Sequence, residues 1–525
     1  MIGLVSCPEA ARIDAATASG AAMPPLLLME DASLKLWGAV GEIARERGAG
    51  KGRFLLALCG SGNNGGDALA MLRHARFSGL NRVAAILAKE PGELAALHAA
   101  SLTALGVTVL SWTKDRQACE RLIGDASLIL DGLSGSGLSG PLREPSSSLL
   151  AAANEAVGKG GAAIASIDLP SGLSDAYEES WPIAEAAWTL SIEPRKACLY
   201  FPLARSHCGR ILPIDGVFPY DAAVASSAQL LEAADLPLLA PLPADSAYKG
   251  SRGKVAIFAG SEGASGAAVL ASRSCLAAGA GIASLFASPG LFPIVAPMLD
   301  AVMVKREPED LRSFDLSRYD AILVGPGWGR SSARRDDLAR LLESGIPAVL
   351  DADAIGLYRE LVDSGFRLKA PAILTPHPGE FAVLTGLEPG RSLACPDKPL
   401  VAVAKAAGAV IVLKSHVTWI ASPLGEVAVW DGRECGLGTA GSGDVLAGLT
   451  AGLLASGIAR ARRSGDGDGA GVADASAPFF SAARAAVLAH GLAGSRARES
   501  RGWFESGAII EEAAKLLGRP PSNFP

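Results

Sequence analysis

The sequence has few aromatic and few charged residues. Phe, Trp and Tyr make up 5% of its 525 residues, and Asp, Glu, Lys and Arg make up 19%. So few aromatics argue against stacking platforms for nucleic-acid bases. The formal net charge of −6 gives no electrostatic reason to expect nucleic acid or an anionic membrane as a partner. Hydrophobic residues, at 49%, instead suit large α/β domains with buried cores.

Three further absences bear on the cellular compartment. The eight cysteines include no Cys-x-x-Cys pair, which predicts neither a zinc site nor a disulfide framework and favours reduced thiols. The N-terminus lacks the basic start and apolar core of a signal peptide, and by inspection no apolar run reaches membrane-spanning length. We therefore expect a cytoplasmic protein with no membrane partner. A homo-oligomer stays open, because no sequence signal fixes the oligomeric state.

The length and the pattern of the chain predict two α/β domains. A chain of 525 residues exceeds what one hydrophobic core usually organises. Short apolar strands alternate with helix-length segments in both halves, which predicts parallel pairing with right-handed crossovers. A stretch without strand period over 221–249 places the boundary near residue 225, giving domains 1–224 and 225–525. The low-complexity residues 465–477 are predicted to form a surface loop. The predicted strands are 54–59, 82–87, 107–110, 127–130 and 163–167, then 254–259, 321–324, 348–350, 372–375 and 409–413, followed by a hairpin of 417–421 and 427–430.

The most informative segment is Gly-Thr-Ala-Gly-Ser-Gly-Asp-Val-Leu-Ala-Gly at 438–448. Glycines before an apolar helical run leave backbone N–H groups bare at a helix N-terminus, where the dipole favours an anion. Asp444 follows them directly, although its charge would repel a bound phosphate. We interpret it as a general base that activates a hydroxyl towards a phosphoryl group held by the glycines. The alternative is an ordinary glycine-rich loop with an N-cap aspartate.

Other strand ends in the second half carry turn and polar signals. The loops are Gly-Pro-Gly-Trp-Gly-Arg at 325–330, Asp-Ala-Asp-Ala at 351–354 and Thr-Pro-His-Pro-Gly-Glu at 375–380. Lys414 ends a fourth strand, where it could meet a nucleotide phosphate or simply be solvated. We interpret His377, between two prolines, as a turn residue rather than a general base. Glu380 fits the first turn of a helix.

In the first half, Gly-Ser-Gly-Asn-Asn-Gly-Gly-Asp at 60–67 follows a strand and precedes a helix predicted to begin near Leu69. The crevice at the carboxyl ends of parallel strands is where ligands bind. The motif is neither a Walker A sequence nor a G-x-G-x-x-G fingerprint. Two later strands end in Asp131 and Asp168, each before a loop with glycine. Oxygen ligands from Asn64, Asp131 and Ser171 would suit a hard cation, while turn and cap roles are the alternatives.

These first-half motifs resemble the NAD(P)H-hydrate epimerase family, in which GNNGGDG, D-x-L-x-G-x-G and D-[IL]-P-S-G recur in this order. Asp14 and residues 24–32 are similar to that family's leading helix. The resemblance implies a Rossmann-like three-layer α/β/α domain, with Asp168 as the acid–base residue at the epimerised carbon. It also implies a potassium ion held by Asn64, Asp131 and Ser171. The residues implied to contact the hydrated cofactor are Asn63, Asn64, Gly65, Gly66, Asp67, Gly135, Ser136, Gly137, Leu138, Ser139, Gly140, Pro141 and Asp168.

The second-half motifs resemble the ribokinase-like fold and, within it, the ADP/ATP-dependent NAD(P)H-hydrate dehydratase family. The specific marks are VGPGWGR, LDADA, TPHPGE and TAGSGDVLAG, and the resemblance covers nearly all of residues 245–517. It implies ADP as co-substrate, Mg²⁺ on the nucleotide phosphates and Asp444 as the catalytic base. The residues implied to face the hydrated nicotinamide are Gly327, His377, Pro378, Gly379, Glu380, Phe381, Ala382, Val383 and Asp444. Those implied to contact ADP are Lys414, Ser415, His416, Val417, Thr418, Glu434, Cys435, Gly436, Leu437, Gly438, Thr439, Ala440, Gly441, Ser442 and Gly443.

Together the two resemblances imply a bifunctional repair enzyme. The N-terminal domain would interconvert the R and S hydrates of NADH and NADPH, and the C-terminal domain would dehydrate the S hydrate. Phosphoryl transfer from ADP would turn a poor leaving group, hydroxide, into a good one. The alternative is a small-molecule kinase for a sugar or a pyrimidine alcohol, with a non-catalytic nucleotide-binding N-terminal domain. Against it, no sugar-binding lid is seen before Lys254, and TPHPGE does not fit.

Overall fold

The computed structural model describes residues 1–20, 23–49, 52–218, 226–311, 314–464 and 477–519. The chain forms two compact units, one of residues 3–228 and one of residues 229–525 with residues 1–2. The boundary predicted near residue 225 lies outside the described residues. The loop predicted over 465–477 also lies outside them, apart from Ala477, which begins a helix.

The N-terminal unit is built on a parallel sheet. The strands of this part of the chain are β1 (Ile2–Leu4), β2 (Phe54–Cys59), β3 (Val83–Leu87), β4 (Thr108–Ser111), β5 (Ala126–Gly132), β6 (Ala163–Ile167), β7 (Ala186–Ile192) and β8 (Arg210–Ile214). The helices are α1 (Cys7–Gly20), α2 (Pro25–Glu46), α3 (Asn63–Phe77), α4 (Glu93–Ala104), α5 (Arg116–Gly124), α6 (Ser146–Gly158) and α7 (Pro202–Arg205). Seven strands pair in the order β4-β3-β2-β5-β6-β7-β8.

Side-chain alternation along β2 shows why this sheet is covered on both faces. Residues 55, 57 and 59 pack with α2, α3 and α4, whereas residues 56 and 58 pack with α5 and α6. All five are fully buried, as expected for a central parallel strand that reads as a continuous apolar run. The predicted three-layer α/β/α architecture is therefore confirmed.

One predicted helix boundary was wrong. Helix α3 begins at Asn63 rather than near Leu69, so the Asn-Asn-Gly-Gly segment is the first helical turn and not a loop. Glycine lowers helix propensity, which is why the sequence suggested a later start. The fold requires glycine here, because a Cβ on Gly65 would lie 2.1 Å from the carbonyl oxygen of Gly60. The sequence analysis also did not predict β7 and β8.

The C-terminal unit contains a mixed sheet. Its strands are β9 (Ala228–Leu230), β10 (Lys254–Phe258), β11 (Ile282–Ala287), β12 (Met303–Arg306), β13 (Ala321–Val324), β14 (Ala348–Leu350), β15 (Ala372–Leu374), β16 (Ala409–Leu413), β17 (Thr418–Ala421) and β18 (Val427–Trp430). Its helices are α8 (Leu236–Leu239), α9 (Ser265–Ala277), α10 (Phe292–Val295), α11 (Ser332–Glu343), α12 (Asp353–Asp363), α13 (Pro378–Thr385), α14 (Pro389–Ala394), α15 (Asp397–Ala407), α16 (Ser442–Ser464), α17 (Ala477–Arg501) and α18 (Ser506–Leu517).

The strand order of this sheet brings the predicted loops to one edge. The order runs β9-β18-β17-β16-β15-β14-β13-β10-β11-β12. All pairs from β16 to β12 are parallel, while β17 is antiparallel to both of its neighbours. The carboxyl ends of β10, β13, β14, β15 and β16 therefore lie side by side, which is where an open α/β sheet binds its ligand.

Helix α16 contradicts the prediction that no apolar run in the chain reaches membrane-spanning length. Residues Ser442–Arg463 are long and apolar enough to cross a membrane by length and composition alone, contrary to the expectation from inspection. In the structure, 67% of the most apolar window of this helix is buried inside the protein. Its core side chains pack with those of α9 and α17. A helix in a protein core can be as long and as apolar as a membrane-spanning helix, because the protein core and the lipid bilayer both exclude water.

Candidate active sites

A cavity of about 720 Å³ lies where the carboxyl ends of β2, β5 and β6 meet in the N-terminal unit. The first turn of α3 and the loop after β5 form part of its wall, and α1 and α2 contribute apolar residues. Of the predicted substrate contacts, those lining the cavity are Asn63, Asn64, Gly65, Asp67, Gly135, Ser136, Gly137, Leu138 and Asp168. Four others, Gly66, Ser139, Gly140 and Pro141, are not among the residues that line it.

Asn64 links the first turn of α3 to the glycine-containing loop after β5 and to the end of β6. Its Nδ2 donates to the carbonyl oxygens of Ser134 at 3.1 Å and Ile167 at 2.8 Å. A Cβ on Gly135 would lie only 2.5 Å from the Asn64 amide, so glycine is needed for this close approach. Asn64 thus ties the start of α3 to the ends of β5 and β6.

Asp131 and Ser171 form a buried polar cluster beside Asn64. The fully buried Asp131 carboxylate accepts hydrogen bonds from the Ser171 hydroxyl at 2.5 Å, the Ser171 N–H at 2.9 Å and the Ser166 hydroxyl at 2.7 Å. Burial raises the pKa of Asp131, and the hydrogen bonds from Ser171 and Ser166 oppose that rise. The Ser171 hydroxyl also lies 3.3 Å from the Ser134 carbonyl oxygen that Asn64 contacts. Asn64 and Ser171 therefore meet at the Ser134 carbonyl, and Asp131 is linked to them through Ser171.

Asp168 is held by a lysine that the sequence analysis did not identify. The Lys196 ammonium donates to Asp168 Oδ1 at 2.6 Å and to the carbonyl of Ile192 at 3.0 Å. Both charged residues line the cavity, and both are almost fully buried. Asp168 has a φ of 65°, a conformation that non-glycine residues rarely adopt and that clusters at functional sites. The sequence signal that could have identified Lys196 is its position shortly after the end of β7, a strand that was not predicted.

Two further carboxyl groups face the same cavity. Asp14 projects from α1 and Asp67 from α3. Burial raises the pKa of Asp14; Lys196 opposes this rise and Asp168 adds to it. Burial, followed by the charges of Asp168 and Asp14, raises the pKa of Asp67 well above its ordinary value. The cavity therefore combines one ion pair with two further carboxyl groups whose pKa values are raised.

The second candidate site is a cluster of charges at the carboxyl edge of the C-terminal sheet. Asp351, directly after β14, accepts hydrogen bonds from Lys414 Nζ at 2.6 Å and from the Thr375 hydroxyl at 2.7 Å. Glu380 lies 3.8 Å from the same ammonium. Although burial lowers the pKa of Lys414, Asp351 and Glu380 outweigh it and raise the pKa overall. Asp351 and Thr375 were missed as site residues, although Asp351 directly follows the predicted strand 348–350 and Thr375 ends the predicted strand 372–375.

Asp444 stands at the N-terminus of α16, beside this cluster. Burial raises its pKa to about 6, with a further rise from Asp351 and an opposing effect from Lys414. A carboxylate with a pKa near 6 is mostly ionised at neutral pH and is still a competent proton acceptor. A general base requires such a pKa, and the catalytic role of Asp444 stays a prediction.

The two segments predicted to contact ADP lie together. The Arg433 N–H donates to the His416 carbonyl at 2.9 Å, joining the end of the β16–β17 connection to the segment after β18. Glu434 accepts from the Gly436 N–H at 2.8 Å and shapes the short 3-10 turn Cys435–Leu437. The Ser506 hydroxyl donates to the Ala440 carbonyl at 2.7 Å. The loop over 434–441 is thus fixed from both sides before α16 begins at Ser442.

His377 and Glu380 cap α13. The His377 Nδ1 accepts from the N–H groups of Gly379 and Glu380, and the Glu380 carboxylate accepts from the His377 N–H at 2.8 Å. This reciprocal capping agrees with the turn role expected for His377. On the same helix, Phe381 is fully buried while Val383 is half exposed. Nearby, the carbonyl oxygen of Gly327 accepts from the Ser261 hydroxyl at 2.8 Å.

Comparisons with known proteins match both units. The family model described as "YjeF-related protein N-terminus" matches residues 26–198, and the one described as "NAD(P)H-hydrate dehydratase" matches residues 255–515. A Coxiella burnetii protein named "Bifunctional NAD(P)H-hydrate repair enzyme Nnr" is 31% identical over 453 residues, covering 85% of this chain and 86% of its own. A Moorella thermoacetica protein of the same name is 30% identical over 520 residues, covering 95% and 93%. The crystal structure of ADP/ATP-dependent NAD(P)H-hydrate dehydratase from Bacillus subtilis, co-crystallised with ATP/Mg²⁺, is 23% identical, covers 56% of this chain and 99% of its own, and has a TM-score of 0.47.

Proposed function

The chain belongs to the family of bifunctional NAD(P)H-hydrate repair enzymes, and on this premise we propose that it restores hydrated NADH and NADPH through two active sites. The resemblances to the hydrate epimerase and hydrate dehydratase families are thereby confirmed. We assign the epimerase to residues 1–224 and the dehydratase to residues 225–525. The observation that carries the proposal is a carboxylate beside a lysine in each unit: the buried Asp168 with Lys196, and the partly buried Asp444 near Lys414.

The epimerase site combines a polar cradle with an acid–base group. The N–H groups in the first turn of α3 and in the loop after β5 provide donors for the substrate. The remaining predicted substrate contacts, Gly66 and residues 139–141, would have to reach the substrate beyond the cavity described above. Asp168, which accepts a hydrogen bond from Lys196, serves as the proton acceptor at the epimerised carbon. The apolar residues of α1 and α2 cover the nicotinamide ring and exclude water.

The donor set of Asn64, Asp131 and Ser171 fits a potassium ion. It offers amide, carboxylate and hydroxyl oxygens, joined by the Ser134 carbonyl, and such hard oxygen ligands suit a hard cation. The Asp131 carboxylate is fully buried, and a bound cation would offset the cost of its charge. Such a cation would supply positive charge that fixes the two loops relative to each other. Ser171 would then turn its hydroxyl away from Asp131 and present an oxygen lone pair to the ion.

The dehydratase site supplies a base and an anion cradle. Asp444 removes the proton of the ring hydroxyl of the S hydrate, and that oxygen attacks the terminal phosphoryl group of ADP. The bare N–H groups at the start of α16 stabilise the transferred group. Elimination of the phosphate ester then restores the double bond of NAD(P)H. Mg²⁺, when bound, would neutralise charge on the nucleotide phosphates.

Lys414 has two tasks in this proposal. Its ammonium neutralises Asp351 and limits the pKa rise of Asp444, which keeps the base ionised at neutral pH. Movement of the flexible lysine side chain from Asp351 towards a nucleotide phosphate would let it serve as one of the ADP contacts. The backbone of residues 415–418 and of 434–443 provides the others.

The kinase alternative is not favoured, since the relatives and the family model that matches residues 255–515 point to hydrate repair. A kinase reaction ends with the phosphate ester as its product, whereas the dehydratase reaction goes on to eliminate the phosphate from that ester. We further propose a cytoplasmic location and no nucleic-acid partner. Three properties call for direct measurement: the oligomeric state, the choice between ADP and ATP, and the choice between the hydrates of NADH and NADPH.

The proposal is tested on a mixture of the R and S hydrates of NADH with Mg²⁺, K⁺ and either ADP or ATP. The readout is the near-ultraviolet absorbance that NADH has and its hydrates lack. Full recovery of NADH is expected, because the epimerase converts the R form that the dehydratase does not accept. Recovery limited to the S fraction, beyond spontaneous epimerisation, would remove the role assigned to the N-terminal unit. No recovery with either nucleotide would contradict the dehydratase.

A further inference from the structure

Asp14 is a carboxyl group in the N-terminal cavity to which the predicted site gives no role. It belongs to α1, whereas Asp168 follows β6, and both residues line the cavity. Throughout the described ranges, the Asp14 side chain makes no hydrogen bond or ion pair, so the structure does not use it as a cap or a tether. Asp168, by contrast, is fixed by Lys196 at 2.6 Å. A half-buried acid without a structural partner, facing a cavity, is free to act on a ligand.

The chemistry of the substrate requires proton transfer at two places. Hydration of a dihydropyridine ring puts the hydroxyl on the carbon beside the ring nitrogen, because an enamine is protonated at its β carbon and water then adds at the α carbon. Inverting that carbon requires its C–O bond to break, with a proton delivered to the departing oxygen. A water molecule must then add to the other face and lose a proton. One carboxyl group on one side of a ring does not serve both faces.

We propose that Asp14 is the second acid–base residue of the epimerase and acts on the ring face opposite to Asp168. This inference rests on the epimerase function proposed above. In one direction, protonated Asp14 gives its proton to the hydroxyl, the C–O bond breaks with the ring-nitrogen lone pair forming a C=N bond, and water leaves. Another water molecule adds to the opposite face, its electron pair forms the new C–O bond, and its proton goes to ionised Asp168. The reverse direction exchanges the two roles, and exchange with solvent resets both groups.

The two acids differ in their surroundings. Asp168 accepts a hydrogen bond from the buried ammonium of Lys196 at 2.6 Å. Burial raises the pKa of Asp14, although Lys196 opposes this effect. Asp67 also faces the cavity, and burial together with the charges of Asp168 and Asp14 raises its pKa well above its ordinary value. Two carboxyl groups in such different surroundings suit an inversion that needs an acid on one face and a base on the other.

The test compares the full-length protein with Asp14→Asn and with Arg12→Gln, a matched control on the exposed side of α1. Conversion of pure R hydrate to S hydrate is followed without nucleotide, and spontaneous conversion is subtracted. We expect Asp14→Asn to slow conversion by about 100-fold or more. Binding of the hydrate, and dehydration of the S hydrate with ADP, should stay unchanged. Arg12→Gln should behave as the wild type.

Several results would overturn the inference. A smaller loss in Asp14→Asn, or a matching loss of hydrate binding, would make Asp14 a bystander or a binding residue. Wild-type conversion in ¹⁸O-labelled water should place one labelled oxygen in each S hydrate formed, and retention of the original oxygen would exclude the water-exchange step. If the wild type itself fails to convert the R hydrate, the proposed epimerase function is wrong, which is a distinguishable outcome.

Discussion

Replacing Asp444 with asparagine is expected to abolish dehydration and, at the same time, to stabilise the C-terminal unit. Burial raises the pKa of Asp444 from 3.8 to about 6, and Asp351 adds to this effect while Lys414 opposes it. The folded state therefore binds the Asp444 proton more tightly than the unfolded state does. Above pH 6 the group is ionised in both states, and folding carries the full cost of the buried charge. Asparagine has nearly the same shape and removes that charge.

The size of this effect follows from the pKa difference. A difference of about 2 pKa units corresponds to roughly 3 kcal/mol of unfolding free energy at neutral pH. The cost shrinks as the pH falls through about 6, because the folded protein becomes protonated first. It is absent below the ordinary value of 3.8, where both states are protonated. Asp444→Asn should thus be more stable than the wild type by up to roughly 3 kcal/mol near neutral pH, and by progressively less towards acid pH.

Urea unfolding over a pH series measures this gain, with tryptophan fluorescence as the signal. Asp336→Asn, on the exposed surface of α11, is the matched control and should leave stability unchanged. Dehydration of the S hydrate should fall by about 10²–10⁴-fold in Asp444→Asn, while epimerisation continues. The reasoning is refuted if Asp444→Asn is no more stable than the wild type at neutral pH. It is equally refuted if the gain does not diminish between about pH 6 and pH 4.

Three further predictions concern the two sites. Gly135→Ala should impair epimerisation and spare dehydration, because its Cβ would lie 2.5 Å from the Asn64 amide; equal rates of both reactions in mutant and wild type would show that the loops need not approach so closely. Replacing K⁺ by a bulky organic cation should slow epimerisation alone, and Ser171→Ala should lose that response to K⁺; a K⁺-independent wild-type rate would contradict the cation site. Lys414→Met should destabilise the C-terminal unit by about 3–5 kcal/mol, since it leaves Asp351 as an uncompensated buried charge. Urea unfolding of this variant checks the value, and a loss below about 1 kcal/mol would mean that water already screens the pair.

The secondary structure could be predicted where the local pattern was strong. The strands β2, β6, β13, β14 and β16 have the bounds that their apolar runs indicated. Strands β1, β7, β8, β9, β11 and β12 were missed. Strand β9 lies within 221–249, the stretch predicted to have no strand period. At the edge of its sheet, β12 has the partly exposed residues Met-Val-Lys-Arg, which lack the continuous apolar run of a buried strand. The predicted first residue of helix α3 was too far along the chain. The glycines that a close backbone approach requires also lower the helix propensity of that segment.

The sequence by itself determined the fold class, the family and the glycine-rich loops, since each depends on neighbouring residues and on fixed motif spacing. Only the tertiary structure decided which charges meet. Lys196 reaches Asp168 across 28 positions, and Lys414 reaches Asp351 across 63. The tertiary structure also decided how strongly three carboxyl groups hold their protons. Burial, which no local sequence pattern reveals, raises the pKa values of Asp14, Asp67 and Asp444. Ionisation in a protein depends on the surrounding solvent and charges in space, and folding alone brings those together.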